Sequence, residues 1–201
     1  MQTALVALVA YFLGSVPFAV LVSRAMGLED PRQYGSGNPG ATNVLRSGNK
    51  KAAILTLVGD ALKGAVAVIA ARMLAEAFGL SEFDAAAAGL FAFLGHVFSA
   101  FLRFQGGKGV ATAAGVLMAM SPVVGGLTLL CWLTVAISTR YSSAAALAAA
   151  LTAPALTYWR TPELAWTVSV AAMSLILIWR HKENISRLIT GQESRIGNKK
   201  R

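Results

Sequence analysis

The chain has 201 residues, 56% of them apolar and only 13% charged, with a mean hydropathy of +0.60 and a formal charge of +9. An ordinary soluble domain carries about 25% charged residues, disorder needs low hydrophobicity, and a lone cysteine, Cys131, cannot build a disulfide framework. What remains is a polytopic membrane protein, whose positive charge has to be located before it can be read as affinity for nucleic acid.

A membrane helix needs about 20 apolar residues, with about 17–25 tolerated. The first candidate is Thr3 to Ser23, too long and too poor in basic flank for a cleaved signal peptide, and therefore read as a retained helix. The loop after it contains Gly35-Ser36-Gly37-Asn38-Pro39-Gly40-Ala41-Thr42-Asn43, followed by Arg46. Glycines allow positive φ and close backbone approach, so this segment is suited to turn N–H, hydroxyl and amide donors toward one anion. A flexible linker is the plain alternative, but it has no need of Arg46 directly after a donor-dense turn. Gly35 to Gly40 also fits GxGxxG, with Asp60 at dinucleotide-fingerprint distance. That motif requires a preceding strand, whereas a membrane helix precedes this one and Asp60 lies inside the next span.

The second span, Ala52 to Leu74, contains Asp60 and Lys63 one turn apart. Ionisable residues inside a span are costly unless paired, so both a neutralising pair and a direct part in a site stay open. The third span, Asp84 to Phe101, carries His96, which is expected to hydrogen-bond a neighbouring loop. Next comes Gly106-Gly107-Lys108-Gly109, running into Val110-Ala111-Thr112. Lys108 stands at an expected helix N-terminus, where free N–H groups and the helix dipole favour an anion. A lysine snorkelling to the membrane interface is the alternative, and three adjacent glycines argue against it. The segment is not a P-loop, since Gly109 rather than Ser or Thr follows the lysine.

Val110 to Met120 is a short fourth span ending at Ser121-Pro122, and Val123 to Ser138 is the fifth. The third loop, Thr139 to Ser143, offers Arg140 and the Ser143 hydroxyl. The sixth span, Ser143 to Trp159, holds the alanine run Ala144 to Ala150, a sign of close helix packing. Leu164 to Trp179 is the seventh. Beyond it, His181 and Asn184 share a face if the helix continues, with Ile185, Leu188 and Ile189 as an interfacial apolar stripe.

The expected fold is therefore all-α, one domain over residues 1–201 with seven transmembrane helices. If loops alternate sides, every Lys and Arg except Arg72, Arg160 and Lys63 falls on the side of the first loop. The positive-inside rule then places the N-terminus outside and the C-terminus in the cytoplasm. Dropping the short fourth span would put Arg140 and the basic tail on the other side from the earlier loops. The charge is mostly topogenic, and no nucleic-acid partner is expected. No carboxylate pair in the loops has metal-ligand spacing, so no metal or cofactor is expected either. Cys131 lies in an apolar span, a poor place for a thiolate nucleophile. No acid stands four residues after His96 or His181, which removes the HxxxxD acyltransferase arrangement.

Gly35 to Asn43 with Arg46, Gly95-His96 through Gly106 to Thr112, and His181 to Asn184 with the Gly191 to Glu193 region resemble the three motifs of the PlsY family of acyl-phosphate:glycerol-3-phosphate acyltransferases. The resemblance runs over almost the whole chain. It implies a bacterial inner-membrane enzyme, facing the cytoplasm, that moves an acyl group from acyl phosphate to the 1-hydroxyl of glycerol 3-phosphate. Lysophosphatidic acid and phosphate are the implied products, and coupling to an enzyme that makes acyl phosphate is implied as well. Carried over by motif, Ser36, Arg46, His181 and Asn184 are the catalytic set, and Glu183 is structural. Substrate binding falls to Gly37, Asn38, Gly40, Thr42, Asn43, Gly106, Gly107, Lys108, Gly109 and Ser143. An activated anhydride needs charge stabilisation and positioning more than a covalent nucleophile, so direct attack is expected, with the proton passing to His181 or to a substrate phosphate. A small transporter for a phosphorylated metabolite would use similar anion-binding features, but would place them at the midplane between repeats.

Overall fold

The computed structural model describes residues 1–197, so Lys199, Lys200 and Arg201 of the basic tail lie outside the described residues. Its regular elements are all helices, with no strand among the described residues. The first expected span is broken into α1 (Gln2–Ser15) and α2 (Phe18–Ala25), because Pro17 has no N–H to continue the ladder. In the first loop lie α3 (Ala41–Val44), a single turn, and a 3₁₀ turn at Leu45–Ser47. α4 (Lys50–Met73) starts where the Asn49 side chain accepts the Ala52 N–H at 3.0 Å, and α5 (Ala75–Phe78) is again one turn.

A reciprocal Ser81/Asp84 capping box opens α6 (Glu82–Val97). This helix ends short of the expected Phe101, and the chain turns out through a 3₁₀ segment at Ala100–Leu102. α7 (Val110–Met120) and α8 (Pro122–Thr139) follow, separated by Ser121 and started by Pro122 at the first helical position. α9 (Ser142–Arg160), α10 (Leu164–Arg180) and α11 (Lys182–Ile189) follow in the described residues. The expected continuous helix through His181 is not present: α11 turns away from α10 by 57°.

Among the described residues, four stretches are long and apolar enough to cross a bilayer: Gln2–Ala25, Lys50–Met73, Glu82–Leu102 and Pro122–Thr139. The bent pair α10 and α11 makes a fifth when taken as one span. α7, with 11 residues, reaches only about 16 Å, roughly half the hydrocarbon thickness.

α6 is the centre of the bundle and touches α1, α4, α7 and α10, while α9 lies between α8 and α10. Small residues allow this density. A side chain at Gly14 would strike the Ala92 carbonyl, one at Gly95 the Tyr11 carbonyl, and one at Gly115 the Ala61 carbonyl. The alanine run does pack closely: Ala145, Ala146, Ala149 and Ala150 are buried. At the end of the bundle away from the glycine-rich loops, Arg72 donates to Glu82 at 2.7 and 3.0 Å and to the Ala119 and Met120 carbonyls at 2.7 and 2.9 Å. Trp166 Nε1–H donates to the same Glu82 at 2.7 Å. Arg72, one of the few cations outside the basic side, thus caps the C-terminus of α7 and pins three other helices to it.

Gly115→Ala should lower stability by about 1–3 kcal/mol, the usual cost of overpacking. Gly126→Ala, at a position with open space around it, should raise stability by up to about 1 kcal/mol through helix propensity. Thermal unfolding of both variants in one detergent compares them directly.

Candidate active site

Two glycine-rich loops and the segment after α10 come together at one end of the bundle, and the tail that follows α11 lies across them. In the second loop, the Gly106 and Gly107 N–H groups donate to the carbonyls of Val97 and His96, each at 3.1 Å. These are carbonyls that the end of α6 leaves open. The loop lies so close that a Cβ at Gly107 would strike the His96 ring, and one at Gly109 the Phe93 ring. Gly109 also has φ of +88°. The glycines therefore dock the loop onto α6 and present Lys108, rather than offering the Gly106 and Gly107 N–H groups to an anion. α7 starts directly after this loop with no side-chain cap, so its first N–H groups stay open beside Lys108.

Lys108 Nζ donates to Asn184 Oδ1. Asn184 Nδ2 donates to Glu193 Oε1 at 2.6 Å, and Ser143 Oγ–H donates to the same oxygen at 2.7 Å. Arg187 Nε–H donates to Glu193 Oε2 at 2.7 Å. Burial works against the charge on Glu193, whose side chain is 6% exposed, but Arg187, Ser143 and Asn184 outweigh it and hold its pKa below the ordinary carboxylate value. Burial, reinforced by the Arg187 charge, pulls Lys108 down to about 8. Burial likewise takes His181 down to about 4, with Lys108 adding to the effect, so the imidazole is neutral at pH 7. His181 Nδ1 lies 2.8 Å from the Leu177 carbonyl, which can only accept. The proton therefore sits on Nδ1, and Nε2 carries the lone pair.

The first loop is organised by Asn43. Its Oδ1 accepts the Ser36 N–H at 2.9 Å and the Arg46 guanidinium at 3.3 Å, while its Nδ2 donates to the carbonyls of Pro31 and Tyr34. Asn43 is 2% exposed, so all of its polar capacity goes into shaping the loop. Gly35 and Gly37 have φ of +64° and +66°, as the sequence implies, and Ser36 and Thr42 are exposed. Arg46 reaches Ser194 Oγ at 2.7 Å.

Of the residues singled out in the sequence, Lys108, His181, Asn184, Ser143 and Arg46 are brought together, the last through the tail. Ser36 joins them through Asn43. Gly37, Asn38, Gly40 and Thr42 stay in the first loop, where Thr42 Oγ1 lies 3.4 Å from Ser142 Oγ. Glu183 is exposed, with Arg187 only as near as 4.0 Å, so the buried carboxylate at this end is Glu193. Arg140, whose own carbonyl accepts the Ile196 N–H at 2.7 Å, also donates to the Ile196 carbonyl at 3.0 Å and clips down the tail. The sequence signal for these two was weak: a single Glu two residues past Gly191, and one cation in a short loop.

A family model described as Glycerol-3-phosphate acyltransferase matches residues 4–191. The chain belongs to the glycerol-3-phosphate acyltransferase family. A relative of that name from Paraburkholderia phymatum is 59% identical over 201 residues, covering all of this chain and 96% of the relative. Another from Burkholderia ambifaria is 61% identical over 205 residues, covering all of this chain and 94% of the relative. A crystal structure of PlsY, an integral membrane glycerol 3-phosphate acyltransferase, in its glycerol 3-phosphate form superposes with a TM-score of 0.89 at 36% identity, covering 98% of this chain and 96% of that one. The lysophosphatidic acid form gives 0.88 at 35% with the same coverage. This acyltransferase is thus an integral membrane enzyme, and the cluster around Lys108 and His181 is its candidate active site.

Removing the carboxylate in Glu193→Ala leaves Asn184, Ser143 and Arg187 without their shared acceptor. We expect activity to fall at least tenfold and the tail to become susceptible to trypsin at Arg195, which limited proteolysis checks. For this acyltransferase, kcat/KM for glycerol 3-phosphate should fall above about pH 8 as Lys108 loses its proton. It should stay flat through His181, which is neutral throughout that range. A pH–rate profile of Lys108→Arg should lack the alkaline fall, because the guanidinium stays charged.

Proposed function

We propose that this acyltransferase moves a fatty acyl group from acyl phosphate to the 1-hydroxyl of sn-glycerol 3-phosphate, releasing lysophosphatidic acid and inorganic phosphate. One observation carries the reading: a lysine ammonium, an arginine held by the neutral Asn43 and Ser194 side chains and an uncapped helix N-terminus gather beside a neutral histidine, while the Glu193 carboxylate is bound by three donors. Such a site attracts phosphate groups and lacks an activated protein nucleophile.

In the proposed step, the 1-hydroxyl oxygen attacks the acyl carbonyl carbon. The new ester C–O bond forms, the bond from that carbon to the phosphate oxygen breaks, and phosphate leaves with the electron pair. The hydroxyl proton passes to a substrate phosphate oxygen, because a phosphate with a second pKa of about 6 is a better acceptor than His181 at about 4. His181 Nε2 then serves to orient the attacking hydroxyl. Lys108 holds the glycerol 3-phosphate, with Asn184 and Ser143 fixing its direction and Gly106, Gly107 and Gly109 setting its loop. Ser36 and Arg46 supply donors from the first loop, whose shape depends on Gly37, Asn38, Gly40, Thr42 and Asn43. No metal or cofactor takes part.

The same reading makes residues 1–201 one domain with seven spans. The N-terminus is outside, and the loops and C-terminus lie in the cytoplasm of a bacterium, in its inner membrane. The one-sided distribution of Lys and Arg supports this orientation, and α7 counts as the short fourth crossing. Acyl phosphate is a reactive anhydride, so coupling to an enzyme that makes it suits this site.

Purified enzyme in lipid should release phosphate when given acyl phosphate and glycerol 3-phosphate, and should be inactive with acyl-CoA or acyl-carrier protein. Single-turnover quenching should trap no acylated side chain; an acyl-enzyme would overturn direct attack. Lys108→Ala should raise KM for glycerol 3-phosphate about 10- to 100-fold, matching the roughly 1.5–3 kcal/mol of a hydrogen bond to a charged group. An unchanged KM would remove Lys108 from that role.

A further inference from the structure

Beneath the two glycine-rich loops, inside the bundle, lies a cluster of ionisable groups outside the hydrogen-bond network of Lys108, Asn184 and Glu193. Asp60 and Lys63 of α4 and His96 of α6 have side chains only 4%, 2% and 7% exposed. Lys63 Nζ lies 2.8 Å from Asp60 Oδ1 and donates to the Val16 carbonyl at 2.8 Å, at the Pro17 break. Asp60 Oδ1 also faces His96 Nδ1 at 3.4 Å. The other edge of the His96 ring rests on Gly107, where a Cβ would strike Nε2, and the His96 carbonyl takes the Gly107 N–H. The first loop reaches the same place: Pro39 and Gly107 line one small polar cavity with Asp60, Lys63 and His96.

We propose that Asp60, Lys63 and His96 are positioning residues for Lys108, holding the Gly106 to Gly109 loop in its phosphate-binding shape from inside the bundle. The proposal rests on Lys108 as the ligand of glycerol 3-phosphate. Lys63 anchors Asp60 to the broken first span, and Asp60 fixes the His96 ring. That ring and the His96 carbonyl then fix Gly107, one peptide before Lys108. Well-packed apolar residues hold helices together at least as well as a buried ion pair does. What the pair adds is a directed acceptor that sets one ring orientation, and that orientation decides where the loop can sit.

The test compares Lys108→Ala, the double variant Asp60→Leu with Lys63→Met, and His96→Gln, each purified in detergent with acyl phosphate as donor. The double variant removes both charges together, so it should melt within a few degrees of the parent, while Lys63→Met alone melts lower because it strands a buried carboxylate. If the cluster positions Lys108, the double variant raises KM for glycerol 3-phosphate at least tenfold and leaves KM for acyl phosphate within about twofold. His96→Gln keeps a polar group facing Asp60 but removes the ring from Gly107. It should show the same split, and it decides the matter where the double variant does not fold. Parent-like KM values in folded variants, or equal losses for both substrates that follow the folded fraction, would overturn the proposal. A raised KM in Lys108→Ala with no change in the cluster variants removes this proposal alone, whereas an unchanged KM in Lys108→Ala removes the underlying reading and this one with it.

Discussion

A backbone carbonyl released by a helix break inside a bilayer has no water to turn to, so the protein itself must supply its donor. The structure depends on this constraint at each break. Pro17 interrupts the first span, and Lys63 and Ser99 donate to the freed Val16 and Ser15 carbonyls. α6 stops at Val97, and the N–H groups of Gly106 and Gly107 take its last carbonyls. α10 stops at Arg180, where the Leu177 carbonyl accepts the His181 N–H at 3.1 Å and the His181 ring N–H at 2.8 Å as well. α7 stops at Met120, and Arg72 caps it. Two of these termini, those of α6 and α10, sit where the candidate site is built: the loop that carries Gly106 and Gly107 also carries Lys108, and His181 stands at the end of α10. Helix termination and site construction are thus one piece of physical chemistry here.

Charge is distributed with the same economy. Lys108 is the cation that faces the site from a half-buried position, and its proton is held loosely enough to leave near pH 8. His181 is kept neutral, which leaves its Nε2 as an acceptor rather than a second positive charge. Glu193 brings a negative charge close to Lys108. Arg187 offsets that charge, and the two oxygens accept from Ser143, Asn184 and Arg187, so Glu193 sets the direction of donors around Lys108. The tail that carries Glu193 also reaches Arg46 through Ser194 and Arg140 through Ile196, tying the first and third loops to α11.

Much of this was legible in the residues. The apolar stretches, the one-sided cations and the order of the three polar segments gave an all-helical membrane protein and the segments that meet. Lys108, Asn184, His181 and Ser143 do meet. The roles of neighbours were less legible. Asn43 reads as a phosphate donor beside glycines, but its buried amide is fully used on the loop's own backbone. Gly106 and Gly107 read as an anion cradle, but their N–H groups face α6. Glu183 was the carboxylate nearest the third motif in sequence, whereas Glu193 is the one buried. A carboxylate's burial depends on which segment folds over it, and spacing along the chain does not encode that.

Sequence alone determined the class of protein, because the length and apolarity of a stretch that can cross a bilayer are properties of composition and order, and it also marked the residue types suited to phosphate. The tertiary structure alone decided which polar groups remain free for a ligand and which are consumed. That choice follows from where each helix breaks and which donor lies within about 3 Å of the released carbonyl, a distance fixed by glycine-to-backbone contacts between helices far apart in the chain.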